Sequence, residues 1–188
     1  MRRHLFRAAI AAVAAATITL SSQLLGATAA SAAPSTAAVR VLYYDASGAG
    51  EFVNVVHQGA ANWNASVTNV RLERWTTGRT RNIRVLVDNN WPRAQVTSLG
   101  NGTIWMGRQA VNQGYYPPRI STHEFGHILG LPDRRTGLCA DLMSGSSAPI
   151  SCTNALPNSR ERSQVQSNFA GALFVPAGWV YEPVYVPW

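Results

Sequence analysis

The sequence predicts a single α+β domain, in which a mixed, twisted β-sheet packs against a central helix and a C-terminal helix. Three observations lead to this prediction. Short runs rich in β-branched residues recur between residues 39 and 106, as strands do. Residues 50–66 and 117–130 show helical periodicity instead. About 150 residues remain after an N-terminal leader, which is the size of one ordinary domain.

Residues 1–32 are predicted to be a secretory signal peptide. Arg2, Arg3 and Arg7 form a positive start, an Ala-rich apolar stretch follows over residues 8–25, and small residues suited to cleavage lie between 27 and 32. The length would also allow a membrane anchor, but the stretch is only weakly hydrophobic. The chain is therefore predicted to be secreted and to keep no stable membrane association after processing. The Arg pair leaves the choice between the general and the twin-arginine export route open.

The charge does not favour a nucleic-acid-binding protein. The full chain carries a net charge of +7, and all sixteen basic residues are Arg. Three of these lie in the leader, so the remaining chain carries +4, with its arginines spread along the sequence. Residues 33–38 are predicted to be a short pro-segment, which lacks the cysteine that a cysteine-switch zymogen needs.

The predicted folded domain covers residues 39–170. Strands are predicted at 39–44, 70–74, 83–87, 94–99 and 103–106, and helices at 50–66, 117–130 and 160–170. Residues 107–116 are predicted to form a loop. His57 lies off the apolar stripe of the first helix, which predicts a surface position. Residues 171–188 alternate Pro with aromatic residues, and this tail could pack on the domain, bind a partner or be removed.

The pattern H-E-x-x-H at residues 123–127 predicts a zinc site. On a helix, His123 and His127 project from one face, so that both rings can bind one ion. Glu124 follows the first ligand and suits a general base toward the attacking water. Gly130 can end the helix in a left-handed cap and return the chain beneath the ion. Asp133 is then predicted to be the third ligand of one zinc per chain.

Three alternatives compete with this interpretation. The stretch could be a buried amphipathic helix with incidental polar residues. Glu161 could replace Asp133 as third ligand, although acids are favoured in the first turn of any helix. The site could also belong to a zinc-dependent binding protein without catalysis, against which the intact Glu124 argues.

The extended pattern H-E-x-x-H-x-x-G-x-x-D of residues 123–133, followed by Cys139 to Gly145, resembles the snapalysin family. The resemblance runs from about residue 39 to residue 169. It implies a zincin fold of the metzincin type in a secreted neutral zinc endopeptidase, here expected to act as a monomer on proteins or peptides with an aromatic residue at P1′. It also implies that residues 94–99 form the edge strand that pairs with substrate, and that Met143 lies beneath the metal.

Cys139 and Cys152 are predicted to form a disulfide, because an exported chain matures in an oxidising compartment and the family resemblance implies the same pairing. Free thiols and zinc ligation are the alternatives. Two positions depart from the family pattern. Arg135 stands where relatives carry a Tyr, and is predicted to be either an oxyanion donor or a solvated rim residue. Residues 115–118 contain no acid, which speaks against the calcium site of some relatives.

Overall fold

A computed structural model describes residues 38–171 and 184–187 of the chain. The predicted signal peptide 1–32, nearly all of the predicted pro-segment 33–38 and most of the predicted tail 171–188 lie outside the described residues. The proposed domain boundaries therefore stay predictions. Within the described part of the chain, no helix combines the length and the apolar character that crossing a membrane requires.

Six strands form one mixed sheet in the order β2-β1-β3-β5-β4-β6. The strands are β1 (Arg40–Gly48), β2 (Val70–Arg74), β3 (Ile83–Asp88), β4 (Arg93–Ser98), β5 (Asn101–Gly107) and β6 (Val184–Pro187). The pairs of β1 with β2, β1 with β3 and β3 with β5 are parallel, whereas β4 is antiparallel to both β5 and β6. The strand direction reverses at β4, and β4 also contacts the central helix at residues 117–128.

Four α-helices complete the described structure: α1 (Val53–Ser66), α2 (Arg108–Asn112), α3 (Pro117–Ile128) and α4 (Ser159–Asn168). Two short 3₁₀ helices, Gly50–Phe52 and Leu142–Ser147, lie before α1 and after α3. The α1 and α3 helices approach closely, because a Cβ atom on Gly59 would come within 3.0 Å of the Ser121 backbone. The fully buried Trp63 joins the same two helices by donating its indole N–H to Thr122 O at 2.8 Å.

The hydrophobic core is a single cluster to which the sheet, α1 and α3 all contribute. Its largest fully buried apolar side chains are Trp63, Phe125, Leu42, Ile83, Ile104, Met106, Ile120, Ile128, Leu129, Leu142 and Met143. Alternate residues of β1 and β2 point into this cluster, in the two-residue period expected of half-buried strands. The metal-motif helix is almost entirely buried, so its polar residues face the protein rather than bulk water.

The predicted α+β class, the sheet and the central and C-terminal helices are confirmed. Two local predictions are wrong. Residues 108–112 form a helix where a loop was predicted, because five residues are too few to show a helical period. The strand at Arg93–Ser98 is not the edge of the sheet, since β6 pairs along its outer side.

Candidate active site

Helix α3 carries the two predicted histidine ligands on one face. Pro117 occupies its first turn, where the missing N–H leaves no donor unsatisfied. His123 and His127 lie one turn apart, with ring centroids 4.6 Å from each other, and both are almost fully buried. A polar pair so deep in a core needs partners, and the surrounding chain provides them.

A tight reversal after α3 brings the third predicted ligand back to the histidines. Gly130 has φ +89°, and the Leu131 N–H donates to Gly126 O at 2.9 Å, which closes the helix C-terminus. A Cβ atom on Gly130 would also lie 2.7 Å from the Asn168 side chain of α4. Both constraints favour glycine, and Asp133 follows three residues later. Its carboxylate and the two imidazoles place their ligand atoms within 4.8 Å of one another.

The ligand atoms converge in the geometry that a small cation needs. The distances from Asp133 Oδ1 are 3.2 Å to His123 Nε2 and 3.6 Å to His127 Nε2. Neither His127 Nε2 nor Asp133 Oδ1 has a hydrogen-bond partner among the residues that the structure describes, although both are buried. A buried polar atom without a partner is costly unless a ligand satisfies it. Two imidazoles and one carboxylate are a donor set that suits zinc.

Backbone carbonyls fix the tautomer of both histidines. His123 Nδ1 lies 3.0 Å from Leu142 O, and His127 Nδ1 lies 2.8 Å from Leu131 O. A carbonyl can only accept, so each Nδ1 carries the proton and each Nε2 presents its lone pair toward Asp133. The protein thus sets the ring orientation before any ion arrives.

The protonation states also suit metal binding. Burial, followed by the neighbouring His123, lowers the pKa of His127 to about 3, so its ring stays neutral. For Asp133, burial acts to raise the pKa, but the contact with His123 and the charges of His123, His127 and Arg135 outweigh it, and the pKa falls below its usual range. The site therefore combines the neutral ring of His127 with the carboxylate anion of Asp133 at ordinary pH.

Glu124 lies beside this group without belonging to it. The side chain is fully buried, and neither carboxylate oxygen has a hydrogen-bond partner in the described part of the chain. Burial first, and then the negative charge of Asp133, raise the pKa of Glu124 well above its ordinary value, while Arg93 acts in the opposite direction. A buried carboxyl group with a raised pKa is a candidate for proton transfer.

The floor beneath the histidines comes from the loop after α3. A Cβ atom on Gly126 would lie 2.7 Å from Met143 Sδ, so the thioether packs directly under the helix. The Met143 N–H donates to Glu161 Oε1 at 2.8 Å, and Glu161 Oε2 accepts from the Asn158 N–H at 2.7 Å in a capping box at the start of α4. Both oxygens of Glu161 therefore bind backbone, and the alternative that Glu161 is a metal ligand loses its support.

Arg119 is a structural residue of the site that the sequence did not reveal. Its buried guanidinium donates to four loop carbonyls, at 2.7 Å to Asn154 O, 3.0 Å to Cys139 O, 2.6 Å to Asp141 O and 3.4 Å to Leu142 O. The last of these is the carbonyl that orients His123. An arginine in the first turn of the metal-motif helix was the available signal, but it does not identify carbonyl partners.

Two further predictions concern residues of this loop. The predicted Cys139–Cys152 disulfide is present, with Cα atoms 5.4 Å apart. Arg135 is exposed, which agrees with the predicted rim position, and its side chain also has protein partners, whereas the oxyanion role stays a prediction. Its guanidinium donates at 2.8 Å to Asp133 Oδ2 and at 2.8 Å to Ser146 Oγ, so it holds the oxygen of Asp133 that faces away from the histidines.

His57 does not belong to the group that His123, His127 and Asp133 form. Its Nδ1 lies 3.0 Å from the Tyr44 hydroxyl, and it is half-buried rather than fully exposed. The Tyr44 ring in turn packs edge-on against Phe125 of α3, so His57 supports the helix from a distance.

Comparison with known proteins decides the family. Residues 38–172 match the family described as Streptomyces extracellular neutral proteinase (M7). The chain belongs to this family. That assignment confirms the resemblance seen in the sequence. The matched residues include nearly all of the described ones and end where the predicted tail begins.

Individual M7 relatives are extracellular small neutral proteases. The protein of that name from Streptomyces sp. (strain C5) is 45% identical over 139 residues, which cover 72% of this chain and 58% of the relative. That from Streptomyces caespitosus is 40% identical over 129 residues, covering 68% of this chain and 95% of the relative. The chain thus spans about three fifths of the length of three curated relatives. Their shared extracellular character confirms the predicted secreted location.

One solved structure is similar in part. The high choriolytic enzyme 1 of the medaka fish Oryzias latipes, a hatching enzyme zinc-protease, matches with a TM-score of 0.38 at 20% identity. The match covers 52% of this chain and 47% of that enzyme, which is too partial to bear on function.

Proposed function

We propose that this M7 protein is a secreted zinc endopeptidase that hydrolyses peptide bonds. One observation carries the proposal: His123 Nε2, His127 Nε2 and Asp133 Oδ1 converge within 4.8 Å beside the fully buried carboxyl of Glu124. A structural metal site would need no such acid, whereas a hydrolytic site needs a proton acceptor next to its Lewis acid.

His123, His127 and Asp133 would hold one zinc ion. When bound, zinc supplies a Lewis acid that activates water and polarises a scissile carbonyl. The chain's own contribution is to present two imidazoles oriented by backbone carbonyls and one carboxylate whose charge would partly neutralise the ion. Three protein ligands would leave the ion able to accept water or a substrate oxygen.

Glu124 is the proposed general base and acid. Its raised pKa makes the carboxylate a better proton acceptor than an exposed Glu, so it can take a proton from the attacking water. The same carboxyl, now protonated and shielded from solvent, then gives the proton to the leaving amine nitrogen. Because no hydrogen bond ties the carboxylate oxygens to the described residues, both stay available for these transfers.

The proposed substrate is an extended protein or peptide segment. M7 relatives are named proteases, and β4 contacts α3, so an extended chain that took the place of β6 would pair with β4 close to the helix that carries Glu124. A preference for an aromatic residue at P1′ is proposed from the family resemblance alone. The enzyme is proposed to act as a monomer.

The test is casein hydrolysis by the secreted protein, with zinc content measured in parallel. Glu124→Gln should lower the rate by about 10²-fold or more while one zinc per chain remains, because general acid–base catalysis contributes about 10²–10⁴-fold. Glu73→Gln on the exposed face of β2 is the matched control and should keep full activity. Chelation of zinc should abolish hydrolysis, and re-addition should restore it. Comparable hydrolysis by Glu124→Gln would refute the assignment.

A further inference from the structure

The outer edge of β4 is occupied by the chain's own C-terminal strand. β6 (Val184–Pro187) pairs antiparallel with β4, and the register places Val184 opposite Val96 and Pro187 opposite Arg93. The M7 match ends at residue 172, so this strand lies outside the part of the chain that the family shares. The pairing therefore joins a segment beyond the family match to a strand within it.

Strand β4 contacts α3, the helix that carries the proposed catalytic acid Glu124. Arg93 is the first residue of β4, and its positive charge acts against the rise in the pKa of Glu124. The Arg93 side chain is held in place, with Nη2 2.6 Å from Asp88 Oδ2 and the guanidinium 4.4 Å from the centre of the Trp105 ring. Since Pro187 is the register partner of Arg93, the C-terminal end of β6 pairs with the start of β4.

A sheet edge can pair with only one strand at a time. The backbone groups on the outer side of β4 serve β6, and an extended peptide that docked there would need the same groups. We propose that this edge is a peptide-docking surface for which the C-terminal strand Val184–Pro187 competes with substrate. The competition rests on the proposed function, because it supposes that substrate is an extended peptide beside Glu124.

The competition is expected to be moderate and reversible. Four paired residues at a sheet edge make a weak contact on their own. Because β6 belongs to the same chain as β4, the pairing is intramolecular; at an effective concentration of about 2 mM, a strand with a dissociation constant of about 1 mM raises the apparent KM about threefold. A strand that dissociates this readily slows the enzyme without blocking it.

The experiment disrupts β6 in the full chain. The double variant Tyr185→Pro/Val186→Pro removes two consecutive N–H groups, and neighbouring residues of a strand point their N–H groups to opposite sides, so one of the two faces β4. Val180→Pro, outside β6, is the matched control. The probe is a fluorescein-labelled synthetic peptide of residues 180–188, and its Kd is measured by anisotropy on zinc-loaded protein that also carries Glu124→Gln, so no turnover is needed.

The double variant should bind the probe at least threefold more tightly than the chain with an intact tail, and the control should match the intact tail. With Glu124 retained, the double variant should show a correspondingly lower KM for peptide hydrolysis and an unchanged kcat. Equal probe affinities would overturn the proposal, and so would a tighter probe with an unchanged KM. Absence of hydrolysis in every chain that retains Glu124 would instead refute the proposed function, while the probe affinities would still decide whether the tail occupies this edge.

Discussion

Replacing Arg135 should weaken zinc binding. Its Nη2 donates to Asp133 Oδ2 at 2.8 Å, which leaves Oδ1 facing the histidines and holds the carboxylate in a one-oxygen binding mode. In Arg135→Ala the carboxylate could rotate away or turn toward solvent. The two histidines would remain, but the third ligand would have to be ordered at the moment of binding.

The magnitude follows from the contact and its exposure. A hydrogen bond to a charged group contributes about 1.5–3 kcal/mol, but the Arg135 side chain is 42% exposed, which favours the lower value. Repulsion between the guanidinium and the dication opposes the gain. We therefore expect a loss of about tenfold in zinc affinity, or about 1.4 kcal/mol, at the low end of what groups that orient metal ligands contribute.

The backbone conformation of Arg135 allows a second test. With φ +53°, it is the only non-glycine at positive φ among the described residues, a conformation that costs about 1–2 kcal/mol. Arg135→Gly and Arg135→Ala should lose the same zinc affinity, but metal-free Arg135→Gly should melt about 2–4 °C higher than Arg135→Ala. Zinc Kd by chelator competition and thermal unfolding without metal would separate the side chain from the backbone.

Arg134→Ala is the control, because it removes a neighbouring positive charge and leaves the Asp133 contact in place. It should bind zinc as tightly as the parent protein or slightly more tightly. If Arg135→Ala stayed within twofold of the parent Kd, the carboxylate would not need this hydrogen bond. If it bound zinc more tightly, charge repulsion would outweigh orientation and the reasoning would be wrong.

Three other outcomes are expected. Asp133→Ala should lose zinc, whereas Glu161→Gln should keep zinc and only lower the melting temperature, because Glu161 accepts backbone N–H groups. Metal analysis together with the melting curve checks both variants. The reverse pattern would exchange the roles of the two residues. Non-reducing mass analysis of secreted protein should show no free thiol, and replacing Cys139 and Cys152 by Ser should cost about 3 kcal/mol of unfolding free energy; an unchanged denaturant midpoint would contradict this. Gly130→Ala should lower both stability and zinc affinity, since it strains a left-handed residue and presses on α4; a variant with the parent's zinc Kd would show that the turn does not position the ligand.

Local chemistry made most of the site predictable. The histidine spacing on a helix, the glycine that ends it and the acid three residues later all act within eleven residues, so one helical turn and one reversal determine the geometry. The first five strands were visible for the same reason, because each carries its own pattern, whereas β6 was not predicted. These features depend little on the rest of the chain.

Contacts between distant residues were not predictable in this way. Arg119 binds backbone carbonyls, which every residue type possesses, so no partner residue marks them in the sequence. The role of Arg135 depends on a backbone conformation that arginine rarely adopts. The pairing of β6 with β4 joins segments about ninety residues apart, and short apolar strands carry little information about which edge they will meet.

The Arg119 contacts also bear on resistance to self-digestion, because the protein is proposed to be a peptidase. Between α3 and α4, the only helix or strand in residues 129–158 is the 3₁₀ helix Leu142–Ser147, and irregular surface chain is the usual point of proteolytic attack. Here the guanidinium, the Cys139–Cys152 bridge and the Met143–Glu161 hydrogen bond hold that segment from three sides. A peptidase binds its substrate as an extended strand, and these three contacts oppose the unfolding of the segment into that form. The contacts that position the proposed zinc ligands thus also protect this segment, so damage to the proposed metal site and self-digestion should occur together.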